Sequence, residues 1–273
     1  MPIRSEWVSY GEHNGYLAWP ERAVLPLPAL LVIQEVWGVD AHIEDVANRL
    51  AAAGYAALAP DLYARQGERP AAWSRERVAE ARAFVDTLPS VNWMDPNVRQ
   101  GETASLPEAQ RRRVAETMDA IFAPLATGPV PGEPHVKPLL AAIRFLRQAC
   151  PITLAQKVAS VGFCVGGGLS ALLACHESAL SGAVIFYGSS PPAELATRIR
   201  CPVRGFYGSL DQRINVGVAS FAETLKDAGT SFEYQLYQGA MHGFFNDTRP
   251  AYDVRAARDS FARLLEFLRQ TLA

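Results

Sequence analysis

The stretch Val158-Ala-Ser-Val-Gly-Phe-Cys-Val-Gly-Gly-Gly168 constrains this chain more than any other. A short β-branched run enters a glycine-flanked cysteine, Gly162-Phe-Cys164-Val-Gly166, and an apolar helical pattern leaves it. This is nucleophile-elbow spacing with cysteine in place of serine: a sharp strand-to-helix turn strains the backbone at the nucleophile, and only small neighbours fit around it. The turn lifts the side chain clear of the sheet and aims the first free N–H groups of the next helix at whatever the sulfur attacks. A packed core thiol would not need glycine two positions to either side, so Cys164 is expected to be catalytic.

An elbow needs a large sheet around it, and 273 residues with 49% hydrophobic and 20% charged side chains supply the material for a single α/β domain. A net charge of −2 gives no global field toward nucleic acid or an anionic membrane. Met1 to Trp7 lacks a basic region followed by an apolar core, and no run approaches the ~18 apolar residues that span a bilayer. A cytoplasmic monomer or homodimer acting on a small molecule, with neither a nucleic-acid nor a membrane partner, is expected. Cys150, Cys164, Cys175 and Cys201 form no C-x-x-C pair and have no histidine at metal-ligand spacing. No metal, cofactor or disulfide is expected, and Cys150, Cys175 and Cys201 read as small buried hydrophobes.

Along the chain, Ile3–Tyr10 and Tyr16–Trp19 read as a hairpin around residues 11–15, and Pro28–Gln34 is too continuously apolar for a surface strand. Asp40 can cap a helix with Ile43, Val46, Ala47, Leu50 and Ala51 on one face, ended by Gly54 before the strand Tyr55–Ala59. The alternation resumes with a helix over Lys137–Gln148, the strand into the elbow, a helix over Gly167–His176 and strands at Ala183–Tyr187 and Val203–Tyr207. A helix over Val216–Ala228, a strand at Phe232–Tyr237 and an amphipathic helix over Arg255–Leu272 complete it. The pattern predicts a mostly parallel central sheet with helices on both faces.

Between about residues 88 and 134 the alternation breaks under repeated prolines, including Pro89, Pro129 and Pro131. One helix stands out there, with capping-box spacing at Ser105-Leu-Pro-Glu108 and an apolar stripe of Val114, Met118, Ile121, Phe122 and Leu125. This helical insertion is either a lid over the functional site or a cover for the sheet edge.

Two segments can supply partners for the cysteine. Asp211 follows the strand lying two beyond the elbow, and His242 sits in the glycine-rich turn after the next strand. Among the five histidines, His13 falls in the hairpin, His42 and His176 in helices and His135 in the insertion, leaving His242 at a strand end. The chain order of nucleophile, acid and base is that of α/β-hydrolases and differs from the chymotrypsin and subtilisin orders.

At this point the chain resembles the dienelactone hydrolase, or carboxymethylenebutenolidase-like, family of the α/β-hydrolase superfamily. The resemblance is carried by Val32-Ile-Gln-Glu-Val-Trp-Gly-Val39, Gly54–Tyr63 with Ala64-Arg-Gln66, the elbow, and the Asp211 and His242 turns. It covers about Ile3 to the end except roughly residues 67–134. It implies an α/β-hydrolase fold and a Cys164–His242–Asp211 triad hydrolysing a small carboxylic ester or lactone through an acyl-enzyme. Glu35 matches the glutamate that in this family accepts the resting thiol proton, which keeps the sulfur protonated until substrate displaces the carboxylate. The oxyanion hole is then expected from the backbone N–H groups of Val36 and Val165, with Trp37 lining the pocket.

The resemblance breaks at the substrate. In dienelactone hydrolases proper two arginines hold a substrate carboxylate, and one follows the catalytic histidine by four positions; here Asn246 stands there, with Arg249 beyond it. The second arginine falls in the divergent insertion, where Arg111, Arg112 and Arg113 are the candidates and Arg112 is carried forward with Trp37 and Asn246 as the substrate-binding set. Losing a guanidinium fork puts dienelactone itself in doubt. The rival readings are a cysteine-dependent acyltransferase on the same scaffold and a non-catalytic small-molecule-binding homologue.

Overall fold

The runs read as buried strands pair in parallel at the centre of one sheet, because neither face of an unbroken apolar strand can be left in water. The computed structural model describes residues 2–88, 91–125, 130 and 132–273. Pro89, Pro129 and Pro131, singled out above, lie outside the described residues. The elements are β1 (Ile3–Tyr10), β2 (His13–Pro20), β3 (Ala29–Ile33), α1 (Ala41–Ala52), β4 (Ala56–Pro60), α2 (Arg75–Asp86), α3 (Pro96–Thr103), α4 (Glu108–Phe122) and α5 (Val136–Gln148). They continue with β5 (Val158–Phe163), α6 (Val165–His176), β6 (Gly182–Phe186), α7 (Ala193–Ala196), β7 (Val203–Gly208), α8 (Gln212–Asn215), α9 (Val218–Asp227), β8 (Phe232–Tyr237) and α10 (Val254–Leu272).

The strands form one 8-stranded sheet in the order β1-β2-β4-β3-β5-β6-β7-β8. β1 and β2 join antiparallel, as do β2 and β4, and every pairing from β4 across to β8 is parallel. The register runs from Ala29 opposite Val158 to Ile33 opposite Gly162, and then Phe163 opposite Phe186, so β3, β5 and β6 end side by side. One face is packed by Leu139, Ile143 and Leu146 of α5, Leu169 and Leu173 of α6 and Phe221 and Leu225 of α9. The other is packed by Ile43, Val46 and Leu50 of α1 and Leu264 and Leu268 of α10. Asp40 does cap α1, accepting from the Ile43 N–H at 3.1 Å.

The insertion departs from expectation. α4 begins at Glu108 with Pro107 as an uncapped N-cap, and the Ser105 hydroxyl donates to the Glu102 carbonyl at 2.9 Å instead of capping it. α2 and α3 flank α4. Val78, Ala81 and Val85 of α2 and Val114, Met118, Ile121 and Phe122 of α4 form an apolar cluster with Val36 and Trp37 from the turn after β3, beside Cys164. The insertion is thereby packed against the end of the sheet where the elbow opens.

Candidate active site

The elbow is built by close backbone approach. Cys164 has φ 56° and ψ −119°, a left-handed conformation for a residue with a side chain. A methyl on Gly162 would stand 1.8 Å from the Gly166 carbonyl oxygen, and one on Gly166 would stand 2.3 Å from that of Ile33. Both glycines are therefore required by backbone contacts that no rotamer change relieves. The Cys164 N–H donates to Phe186 at 3.0 Å, pinning the turn to β6.

Asp211 follows β7, is 8% exposed, and its Oδ2 lies 2.5 Å from His242 Nδ1. The same imidazole neighbours Cys164 on the cavity wall, and the two side chains interact electrostatically. Burial opposes a charged ring, but the negative charge of a Cys164 thiolate and the hydrogen bond that the ring donates to Asp211 override it and push the His242 pKa from 6.5 up to about 10. His242 should therefore keep its protonated ring-proton chemical shift to about pH 9 in wild type and titrate at lower pH in Cys164→Ala, where the largest raising charge is gone. An NMR pH titration checks this, and an unchanged midpoint would contradict it.

The turn carrying Val36 runs from the end of β3. Gly38, at φ 80°, donates to the Glu35 carbonyl at 3.2 Å, and the Val36 carbonyl accepts from the Tyr63 hydroxyl at 2.7 Å. Among the described residues, the N–H groups of Val36 and Val165 have no protein acceptor. Glu35 is 3% exposed, and its two oxygens accept from the Tyr187 hydroxyl at 3.1 Å and from Asn246 Nδ2 at 2.8 Å. The expected Glu35–Cys164 hydrogen bond is not among those of the described residues. Both Glu35 oxygens are engaged by neutral donors.

A cavity of about 670 Å³ opens at the elbow, lined by Cys164, Asp211, His242, Glu35, Val36 and Val165, and by Trp37 as expected. Two of the residues expected to bind substrate lie outside that lining. Asn246 is fully buried and behind Glu35, outside the lining, because its amide completes the carboxylate's hydrogen bonding. Arg112 is exposed on α4 and also outside the lining, as are Arg111 and Arg113; Arg113 pairs with Glu80 at 2.6 Å. Arg249 does reach the cavity, its guanidinium carbon 5.4 Å from the centre of the Trp37 ring. Trp93 and Met94 of the insertion join the wall, and Arg99 fixes them by donating to both their carbonyls, at 2.9 and 3.1 Å.

Sequence reasoning did not find Tyr187 or Asp86. Tyr187 stands directly after β6, between the strand ends that carry Cys164 and Asp211, and that position was its signal. The remaining cysteines are buried thiols; burial pushes Cys175 and Cys201 up to about 12, which leaves them unreactive. Among the described residues no cluster of side chains could hold a metal ion, and no helix is long and apolar enough to cross a membrane.

The sequence profile of the dienelactone hydrolase family matches residues 13–272. A candidate carboxymethylenebutenolidase of Saccharolobus solfataricus is 32% identical over 258 residues, covering 94% of this chain and 93% of its own. One from Escherichia coli strain K12 is 30% identical over 266 residues, covering 93% and 81%. The crystal structure of a candidate dienelactone hydrolase from Klebsiella pneumoniae superposes with a TM-score of 0.66 at 26% identity, over 99% of this chain and 100% of that one. A dienelactone hydrolase-like promiscuous phosphotriesterase from metagenomic libraries has the same fold, with a TM-score of 0.66 at 21% identity over 99% of both chains. The chain is an α/β-hydrolase-fold protein that belongs to the dienelactone hydrolase family.

Proposed function

We propose that this protein hydrolyses carboxylic esters or lactones through an acyl-enzyme on Cys164. The observation that carries the reading is the Asp211–His242 hydrogen bond beside Cys164, at a strained elbow that opens on a large cavity. The Cys164 thiolate attacks the carbonyl carbon while the oxyanion takes the free N–H groups of Val36 and Val165. The tetrahedral intermediate collapses to a thioester as the imidazolium gives its proton to the departing alkoxide; in a lactone that oxygen stays tethered, as a hydroxyl.

Acylation also resets the base. Once the sulfur is acylated its negative charge is gone, and with it the largest contribution that raised His242. The neutral imidazole then takes a proton from water, the hydroxide attacks the thioester, and the acid leaves with Cys164 and His242 returned to their starting charges. Asp211 holds the ring so that Nε2 faces the sulfur throughout. Asp211→Asn should lower kcat on a p-nitrophenyl ester by about 10²- to 10⁴-fold with little change in KM. A kcat within about threefold of wild type would remove Asp211 from the mechanism.

Glu35 acts here as a clamp. Held by Tyr187 and Asn246, it fixes the turn whose next amide belongs to Val36. A panel of p-nitrophenyl esters and lactones, assayed with wild type and Cys164→Ser, tests the assignment, and activity undiminished in the serine variant would count against a cysteine-tuned site. Product analysis with an added alcohol separates hydrolysis from acyl transfer, since a transferase would yield the new ester in place of the acid.

A further inference from the structure

A guanidinium lining a cavity beside a nucleophile is a ready receptor for a substrate carboxylate, because its planar fork matches two carboxylate oxygens. Arg249 is so placed, but its fork is already taken. Its Nε and Nη2 donate to Asp86 Oδ1 at 2.9 and 2.6 Å, and both side chains are only 20% exposed. Its face lies over Trp37, so the Nε/Nη2 edge and one face of the group are both engaged.

Asp86 is not free to leave with a substrate. It ends α2, which is tied down by Arg82, whose guanidinium donates to Asp40 Oδ2 at 2.7 Å and to the Thr248 carbonyl at 3.2 Å. The other charges on the lining are the carboxylates of Glu35 and Asp211, the Cys164–His242 pair, whose opposite charges offset each other, and an exposed Arg213. A carboxylate on the acyl group would have to displace Asp86 or stand near these acids in a poorly solvated space. Much of the remaining wall is apolar, with Val85, Trp93, Met94, Phe122, Leu125 and Leu169, and Asn92, Ser189 and Ser190 add neutral polar groups.

We propose that Asp86 is a specificity-determining residue: by occupying Arg249 it sets the cavity to take uncharged esters with a bulky apolar acyl group and to reject esters whose acyl group carries a carboxylate. This rests on the ester-hydrolase reading above and names its substrate class.

The test compares p-nitrophenyl valerate with mono-p-nitrophenyl glutarate, acyl groups of equal carbon count that differ in a terminal carboxylate. Wild type should favour the valerate in kcat/KM by about 30-fold or more, the size expected for leaving a charge badly paired in a buried site. Asp86→Asn keeps the shape while releasing the guanidinium, and should narrow that ratio by about tenfold, mainly through a lower KM for the glutarate. Asp86→Asn combined with Arg249→Gln should restore the discrimination. A wild type that handles both esters equally, or a ratio that moves less than about twofold in Asp86→Asn, would overturn the proposal.

Binding decides even if neither ester turns over, an outcome that would fail the hydrolase reading alone. Tryptophan fluorescence, with Trp37 and Trp93 in the cavity wall, reports binding of 4-phenylbutyramide and 4-phenylbutyrate to wild type and Cys164→Ala. Tighter binding of the amide by about tenfold supports the proposal, and equal or tighter binding of the carboxylate contradicts it.

Discussion

Alanine at position 162 should abolish the native fold. Its Cβ would lie 1.8 Å from the Gly166 carbonyl oxygen, 2.3 Å from the Gly166 carbonyl carbon and 2.8 Å from the Gly167 nitrogen, all backbone atoms. Neither partner can step aside: a methyl-sized space at Gly166 is closed in turn by the carbonyl oxygens of Ile33 and Gln34, at 2.3 and 2.4 Å. The elbow is thus wedged between β3 and β6, and an added atom must push strands apart. A cost of about 4 kcal/mol or more is expected, comparable with the whole stability of many domains. Gly101→Ala is the control, since nothing lies within 4 Å of its Cβ in the exposed α3. It should be neutral or stabilising by up to about 1 kcal/mol, the helix-propensity difference between the two residues. Urea unfolding of both variants checks the pair, and equal midpoints would show that the elbow is looser than its geometry.

The second large effect is on chemistry with the fold preserved. Cys164→Ala should lower kcat/KM on an activated ester by about 10⁴-fold or more, because removing the attacking atom removes the covalent route. Cys164 is half-buried at the cavity head and contributes little to either core cluster, so the midpoint of thermal unfolding should shift by only a few degrees. Loss of activity together with loss of structure would leave the effect unassigned to the sulfur, and circular dichroism on the same sample separates the two.

How much of this was legible in the sequence depends on the range of the interactions. The buried strands announced themselves because β3 presents an unbroken apolar run and β5 a short β-branched one, and α1, α5 and α10 because one face repeats at helical spacing. Cys164, Asp211 and His242 could be read together because each follows the end of a strand, and the parallel register carries strand ends to one edge of the sheet. α2 escaped notice because it buries only Val78, Ala81 and Val85 and is otherwise largely charged. Those charges answer to partners far along the chain: Arg75 to Glu44, Arg82 to Asp40 and Asp86 to Arg249. No local pattern encodes such pairs.

Asn246 failed for the same reason. Its position four residues after His242 suggested the cavity, whereas its partner is Glu35, 211 residues away in sequence. A neutral amide there satisfies a buried carboxylate without adding a charge to the lining. Ser105 failed for a local one: with Pro107 standing as N-cap and no N–H of its own, the helix starts without a side-chain cap, and the serine hydroxyl turns back to Glu102. The strand-to-strand loop of the hairpin is also tighter than expected, since Tyr10 pairs with His13 and leaves only Gly11 and Glu12 between the strands.

The insertion proved to be part of the cavity wall. Met94 and Phe122 face the same space as Cys164, and Arg99 ties the loop that carries Met94 to Asp119 of α4 at 3.0 Å. The segment that departs most from the family resemblance is therefore one that shapes the cavity beside Cys164.

The proposed hydrolysis passes through a covalent bond to one sulfur, that of Cys164. Wild-type protein mixed with excess p-nitrophenyl valerate, acid-quenched within the first turnover and digested, should yield the peptide containing Cys164 heavier by one valeryl group, with a matching burst of p-nitrophenol. Turnover of the ester with no acyl group on that peptide, or with the label on another residue, would contradict it.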